Sequence, residues 1–307
     1  MRDAFAHSLF EAAKACPDIF MVVADISPAA SLNNFRNDFP TRVLDVGIAE
    51  QTMISLCAGL AIRGFRPFAY TISNFTIYRP FEQVRVDLAY QQLPVTLVGV
   101  GGGMSYSALG ATHHTIEDIA VLGALPNLTI LAPSDPSEVR ESVLAITKQN
   151  NPVYLRLGKA GEPNLTAEAP EPFVLGTPRL IRKGEKVAFL GYGPILSFAF
   201  DAAKLIQERK SVQPAIYSIH TPKPLDADVI KRILTSYDHI VTIEEHVGQG
   251  SLAQQIKALA WECQSKARIH TYHLKDEYIH LYGSQNELRT AHGITPARMA
   301  DSVTPLL

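Results

Sequence analysis

Cysteine is scarce in this chain of 307 residues: Cys16, Cys57 and Cys263 stand far apart. That spacing argues against a disulfide framework and a cysteine-held zinc site, and it fits a reducing compartment, the cytoplasm. No apolar run reaches the roughly 20 residues that a membrane helix needs, and Met1 to Phe5 lacks the apolar core of a secretory signal. Charge of one sign is lacking too. The formal net charge is -2, with no basic stripe to meet nucleic acid. There is no GxxxxGK[ST] loop, which argues against an ordinary NTPase. Two glycine-rich turns follow strands, Gly99-Val100-Gly101-Gly102-Gly103 and Gly191-Tyr192-Gly193. Met104 and Leu196 occupy the places where a dinucleotide fingerprint requires glycine or alanine, so tight strand-to-helix turns account for both. His113 and His114 are adjacent, badly placed to share one ion, so no metal is expected on this chain.

What is present is alternation. The chain is 47% hydrophobic and 19% charged, enough to bury full-sized cores. Helical and strand-like segments follow one another, which predicts α/β architecture with mostly parallel sheets flanked by helices. The pattern predicts helices over 3–15, 53–63, 78–90, 116–122 and 138–148. It predicts strands over 19–24, 65–71, 95–100, 129–131 and 153–157, with a short buried strand before Gly47. Gly64 is placed to end the second helix. Residues 158–178 then collect Gly161, Pro163, Pro170, Pro172 and Pro178 with little periodicity, the mark of a linker. A smaller alternation follows: strands over 187–190, 215–219 and 239–243, helices over 196–208, 226–237 and 251–261. The expected organisation is a first domain over 1–160, a linker over 161–178 and a second domain over 179–307.

Two polar clusters interrupt the first domain. In Leu44-Asp45-Val46-Gly47-Ile48-Ala49-Glu50-Gln51 a carboxylate opens an apolar helical run. Desolvation there favours the neutral acid, and sharing a proton with a ligand nitrogen becomes feasible. Asp45 and Glu50 read equally as charges that complement a helix N-terminus. The second cluster, Thr112-His113-His114-Thr115-Ile116-Glu117, ends a loop past the carboxyl end of a predicted strand. Open α/β sheets bind ligands there, although loop histidines also serve as plain hydrogen-bonding groups. Tyr70, Phe75, Tyr78 and Phe81 are by default core.

Together, Gly47 to Gln51, the aromatic stretch Tyr70 to Tyr78, and Gly110-Ala111-Thr112-His113-His114 resemble the second half of thiamine-diphosphate enzymes of the transketolase superfamily. Ala132-Pro133-Ser134-Asp135, Thr221-Pro222-Lys223-Pro224-Leu225-Asp226 and Ile243-Glu244-Glu245-His246 extend the resemblance across the whole chain. It implies a pyrimidine-binding domain followed by the smaller transketolase C-terminal domain. It further implies that Glu50 hydrogen-bonds the cofactor's aminopyrimidine, that Phe75 stacks on that ring and that Tyr78 forms another wall. His113 matches the histidine that meets substrate oxygens, with His114 beside it, and Arg2 and Lys159 fall where phosphosugar enzymes hold phosphate.

Departures accompany the resemblance. Ala108 and Leu109 replace the family's acidic pair, and Gly101 stands in place of a substrate-channel histidine. The family's Gly-Asp-Gly segment, which holds magnesium and through it the diphosphate, is absent. The resemblance therefore implies a partner chain, a transketolase N-terminal subunit carrying the diphosphate domain and Mg2+, in an α2β2 assembly. The expected activity is transfer of a two-carbon ketol unit from a phosphorylated ketose to an aldose. The alternatives are the β subunit of a 2-oxoacid decarboxylase or dehydrogenase, and a non-catalytic scaffold paralogue.

Overall fold

The computed structural model describes residues 1–26 and 32–307. Its first sheet has six strands, all parallel, in the order β2-β1-β3-β4-β6-β5. These are β1 Ile19–Val23, β2 Val43–Asp45, β3 Arg66–Ile72, β4 Thr96–Val100, β5 Thr129–Leu131 and β6 Val153–Leu157. The inner strands β4 and β6 are buried at every position, as expected where helices cover both faces of a parallel sheet. Strand β2 lies at the sheet edge and is half-buried to exposed, so the short buried strand expected before Gly47 is instead an edge strand.

Helices α1 Arg2–Ala15 and α2 Leu32–Asp38 precede β1 and β2, and α3 Glu50–Ile62 follows β2. Gly64 adopts a φ of +90° just beyond α3, a backbone state that side chains resist and that ends the helix. The helix expected over 78–90 starts only at Phe81 and is π-helical from Val84 on. A short helix α4, Ser73–Ile77, comes first, and α5, Phe81–Gln83, then runs into a π-helical stretch, Val84–Tyr90. Pro80 explains the interruption, because it lacks the N–H that a continuous helix would use. Helices α6 Asp118–Gly123 and α7 Pro136–Ile146 complete the domain. Asp135 caps α7 by accepting from Glu138 N at 2.7 Å.

The second sheet has the order β11-β10-β8-β9-β7 and is parallel except for the edge strand β7. Its strands are β7 Arg179–Arg182, β8 Val187–Gly191, β9 Ala215–Ser218, β10 His239–Val247 and β11 Arg268–Leu274. Around it pack α8 Ser197–Lys210, α9 Ala227–Ser236, α10 Leu252–Glu262, α11 Gln285–Ala291 and α12 Pro296–Val303. Strand β10 extends past the expected end at Ile243 to Val247. Its extra residues Glu244, Glu245 and His246 are buried, and Glu245 and His246 carry hydrogen bonds to the first domain. β7, β11, α11 and α12 have no counterpart in the expected pattern.

One apolar cluster runs from the first sheet into the second, joining Val22, Met53, Ile54 and Leu97 to Leu190, Ile230 and Ile240. Each such aliphatic side chain contributes about 1.5–3 kcal/mol on full burial. Polar ties cross the same boundary. Val247 N donates to Ile116 O at 2.9 Å, and Ala132 N to His220 O at 2.8 Å. Arg156 bonds the carbonyls of Thr115 and Glu245, each at 3.1 Å. The two domains are thus welded along one side, which fixes the loops at the top of the first sheet.

Candidate active site

In a parallel sheet every strand delivers its following loop to one edge. Asp45 ends β2 and leads to Glu50, Ile72 ends β3 and leads to Phe75, Val100 ends β4 and leads to His113, and Leu157 ends β6 and leads to Lys159. Arg2 is the first residue of α1.

Glu50 is the first residue of α3 and is 5% exposed. No side chain caps this helix. Asp45 instead holds the preceding turn, accepting from Gly47 N at 3.0 Å and from Asp25 N at 3.3 Å. The setting expected to be apolar contains a cation: Arg79 Nη1 donates to both Glu50 oxygens at 3.1 Å. The same guanidinium lies 4.3 Å from the Phe75 ring centroid, within cation–π range. Phe75 in turn meets the His113 ring edge-on, with centroids 5.4 Å apart at 70°. Glu50, Arg79, Phe75 and His113 form one continuous line.

His113 hangs on a loop tied at both ends. Gly103 and Thr115 exchange two backbone hydrogen bonds of 2.9 Å, and Gly101 and Gly102 both donate to Leu157 O at 2.9 Å. Asn74, on α4, donates to Thr112 O, and Thr112 Oγ1 lies 3.0 Å from His113 Nδ1. The neighbouring His114 is 4% exposed. Burial pushes its pKa down, against the opposing pull of the Glu245 and Glu117 carboxylates. Adjacent in sequence, the two histidines occupy different environments. Tyr78 donates its hydroxyl to Glu117 at 2.8 Å.

Two residues of this site, Arg79 in the line and Tyr106 beside it, were missed in the sequence. The Tyr106 ring meets His113 with centroids 6.2 Å apart, and the Lys159 ammonium lies 5.1 Å over its face. Gly101 explains its position. At φ +83° a Cβ on Gly101 would fall 2.1 Å from the Tyr106 ring, so the ring fills the space that a side chain at 101 would need. Arg2 Nε is buried with no hydrogen-bond partner among the described residues. Lys159 and Tyr106 therefore form a cationic corner beside His113. Ala108 and Leu109 lie on a short 3-10 turn, Ser107–Leu109, and Leu109 is 51% exposed. Ile48, close to Glu50 in sequence, is 74% exposed. Among the described residues no group of three or more His, Cys, Asp or Glu side chains is poised to hold a metal ion, and no helix is long and apolar enough to cross a membrane.

Two tandem α/β domains with chemistry gathered at the carboxyl edge of the first sheet define a class, and comparison with known proteins identifies it. Residues 1–162 match the transketolase pyrimidine binding domain, and residues 176–299 match the transketolase C-terminal domain. The chain belongs to the transketolase family of thiamine-diphosphate-dependent enzymes. It is 32% identical over 293 residues to a subunit of the apulose-4-phosphate transketolase of Phocaeicola vulgatus, covering 95% of this chain and 93% of that protein. It is 31% identical to the 1-deoxy-D-xylulose-5-phosphate synthase of Symbiobacterium thermophilum, where 99% of this chain spans 46% of the relative. Among solved structures it superposes on a split-gene transketolase in an inactive beta4 tetramer, with a TM-score of 0.86, 27% identity and coverage of 99% and 96%.

Proposed function

We propose that this chain is the pyrimidine-side subunit of a two-chain, thiamine-diphosphate-dependent transketolase that moves a two-carbon ketol unit from a phosphorylated ketose to an aldose. The carrying observation is the buried Glu50 carboxylate facing the Phe75 ring across a slot that already holds a flat, nitrogen-bearing cation, the Arg79 guanidinium. That cation is a stand-in: a planar nitrogen base fits the same two contacts, a carboxylate at its edge and an arene on its face. Glu50 would hold the ring nitrogen of the aminopyrimidine and Phe75 its face.

When bound, thiamine diphosphate would supply the nucleophilic carbon and the electron sink that making and breaking a C–C bond beside a carbonyl requires. Glu50 holds or yields a proton at the ring nitrogen in a site largely shielded from water, where such sharing is effective. His113 stands beside Phe75 to hydrogen-bond substrate oxygens and to carry a proton at its Nε2. Arg2, Lys159 and Tyr106 would orient an anionic substrate group beside it.

The diphosphate and its magnesium fall to a second chain. Support comes from the end-to-end match to a relative named as one subunit of a transketolase, and from the coverage of less than half of the one-chain synthase. The exposed Ile48 and Leu109 offer a contact face for such a chain near Glu50 and His113. The partner would be the transketolase N-terminal subunit, in an α2β2 assembly working in the cytoplasm. Mixing this chain with a Gly-Asp-Gly-bearing partner, Mg2+ and thiamine diphosphate tests the reading. Ketose-dependent transfer to an aldose is expected, with loss of turnover in Glu50→Gln. Turnover of 2-oxoacids and not of ketoses would refute the transketolase assignment, and full activity in Glu50→Gln would refute the role of the carboxylate.

A further inference from the structure

Among the described residues, the buried carboxylates Glu50, Asp118 and Glu138 of the first domain are each ion-paired to an arginine, and the pairs of Asp118 and Glu50 are built differently. Asp118 and Arg156 are both enclosed, with side-chain exposures of 0% and 4%, and Arg156 is fastened further to two backbone carbonyls. In the other pair Glu50 is 5% exposed while Arg79 is 51% exposed. Among the described residues the Arg79 guanidinium hydrogen-bonds Glu50 alone, through Nη1. Its remaining support is the face of Phe75 at 4.3 Å. A buried carboxylate without a partner is costly, so something cationic or hydrogen-bonding must sit against Glu50. A half-exposed arginine on a long side chain meets that need and can leave without repacking the core.

We infer that Arg79 is an exchangeable placeholder: it fills the slot between Glu50 and Phe75 and is displaced when a planar nitrogen heterocycle enters. The inference rests on the proposed pyrimidine role of that slot and adds a competitor built into the chain. Arg79 lies two residues beyond α4, and Gln51 Nε2 donates to its carbonyl at 3.4 Å. Its backbone is therefore held beside the slot while its side chain is free to swing outward. Displacement moves the guanidinium toward the open edge of the site and leaves Glu50 to the incoming ring. The incoming ring nitrogen and the Glu50 carboxylate are both acceptors, so the exchange takes up one proton from solvent, shared between them, as the charged guanidinium leaves.

Competition of this kind lowers apparent affinity by the fraction of molecules whose slot is free. A slot free in about one molecule in ten would bind a pyrimidine about tenfold more tightly once the arginine is removed. The experiment uses the full chain and the probe 4-amino-5-hydroxymethyl-2-methylpyrimidine, followed by NMR titration in the parent, Arg79→Gln, Arg79→Lys and Glu50→Gln. Arg79→Gln is expected to bind the probe about tenfold more tightly than the parent, and Glu50→Gln to bind it more weakly. Guanidinium ion should compete with the probe in Arg79→Gln, because it refills the same slot, and should do so less in Arg79→Lys. Equal probe affinity in the parent and Arg79→Gln, with loss in Glu50→Gln, would overturn the placeholder and leave the pyrimidine site standing. Guanidinium binding to Arg79→Gln with no probe binding to any variant would overturn the pyrimidine reading itself.

Discussion

Asp118→Asn tests how the site's scaffold is held. Asp118 is fully buried and accepts from Arg156 Nε at 2.6 Å, Arg156 Nη2 at 3.3 Å and Tyr154 OH at 2.9 Å. Opposite charge from Asp118 raises the Arg156 pKa, over the opposing effect of burial, so the guanidinium stays charged. Asparagine keeps the shape and one acceptor oxygen but removes the counter-charge. Breaking one side of a buried pair costs about 3–5 kcal/mol, and the retained oxygen puts this substitution near the lower end, about 3 kcal/mol. Equilibrium urea unfolding followed by circular dichroism reads that loss as a lower midpoint. The exposed pair Arg85–Glu82, a single turn apart on the surface, is the control, and Glu82→Gln should leave the midpoint unmoved. A loss below about 1 kcal/mol in Asp118→Asn would refute the claim that this pair is a principal tie.

Two buried groups near Arg179 set opposite pH limits. Burial pushes the Glu138 carboxyl up to about 7 from its ordinary 4.5, against hydrogen bonds from Ser134 and Ser218. Its contribution to stability is complete below pH 4.5 and lost as pH rises through 7, roughly 3 kcal/mol in all. Burial and the Arg179 charge lower His220 to about 3 from 6.5, so its contribution is complete above pH 6.5 and lost as pH falls toward 3. Thermal unfolding across pH should show Glu138→Gln flattening the first limb and His220→Gln the second, and an unchanged profile in either variant would contradict the corresponding burial argument. Gly103→Ala should destabilise by about 2 kcal/mol or more, because φ is +67° and the new Cβ would lie 2.3 Å from Glu245 Oε2. In Gly161→Ala, also at positive φ but with nothing within 4 Å, only the backbone strain should appear in the same measurement. Equal losses in the two would remove the case for a packed Gly103.

The α/β alternation, both glycine-rich turns and the inner strands were legible because apolar runs bounded by glycine leave a local trace. Strand β5 and strand β6 fall where the pattern placed them. The start at Phe81 was not read, since Tyr78 lies one helical turn before Phe81 and keeps spacing with it across Pro80. β11 was missed because its residues, Arg268 to Leu274, are mostly half-exposed and carry two histidines, which dilutes the apolar signal at an edge. Glu50, Phe75 and His113 stood out through the order of motifs, whereas Arg79 and Tyr106 carry no motif. Arg79 matters through the carboxylate it meets 29 residues earlier in the chain, and Tyr106 through the empty space over Gly101. Contacts of that kind exist only after folding.

The second domain, though remote from Glu50, decides where His113 hangs. Glu245 in β10 accepts from Met104 N at 3.1 Å and from Gln285 Nε2 at 3.0 and 2.9 Å, and it pairs with the buried Arg289. Its carboxylate thereby seats the first residue of the loop whose last residues are His113 and His114, and Gly103 is small because that carboxylate lies against it. Arg156 closes the other side by holding the Thr115 and Glu245 carbonyls together. Glu245→Gln keeps the acceptor but makes it neutral and strips Arg289 of its counter-charge. A charge-assisted bond is worth about 1 kcal/mol more than a neutral one, which predicts amide exchange at Met104 faster by about fivefold or more. Thr115, paired with Gly103, should follow, while the amides of α3 around Met53 and Cys57 should not change. If exchange at Met104 and Thr115 matched the parent, the loop would owe its position to the first domain alone, and the second domain would have no hold on His113.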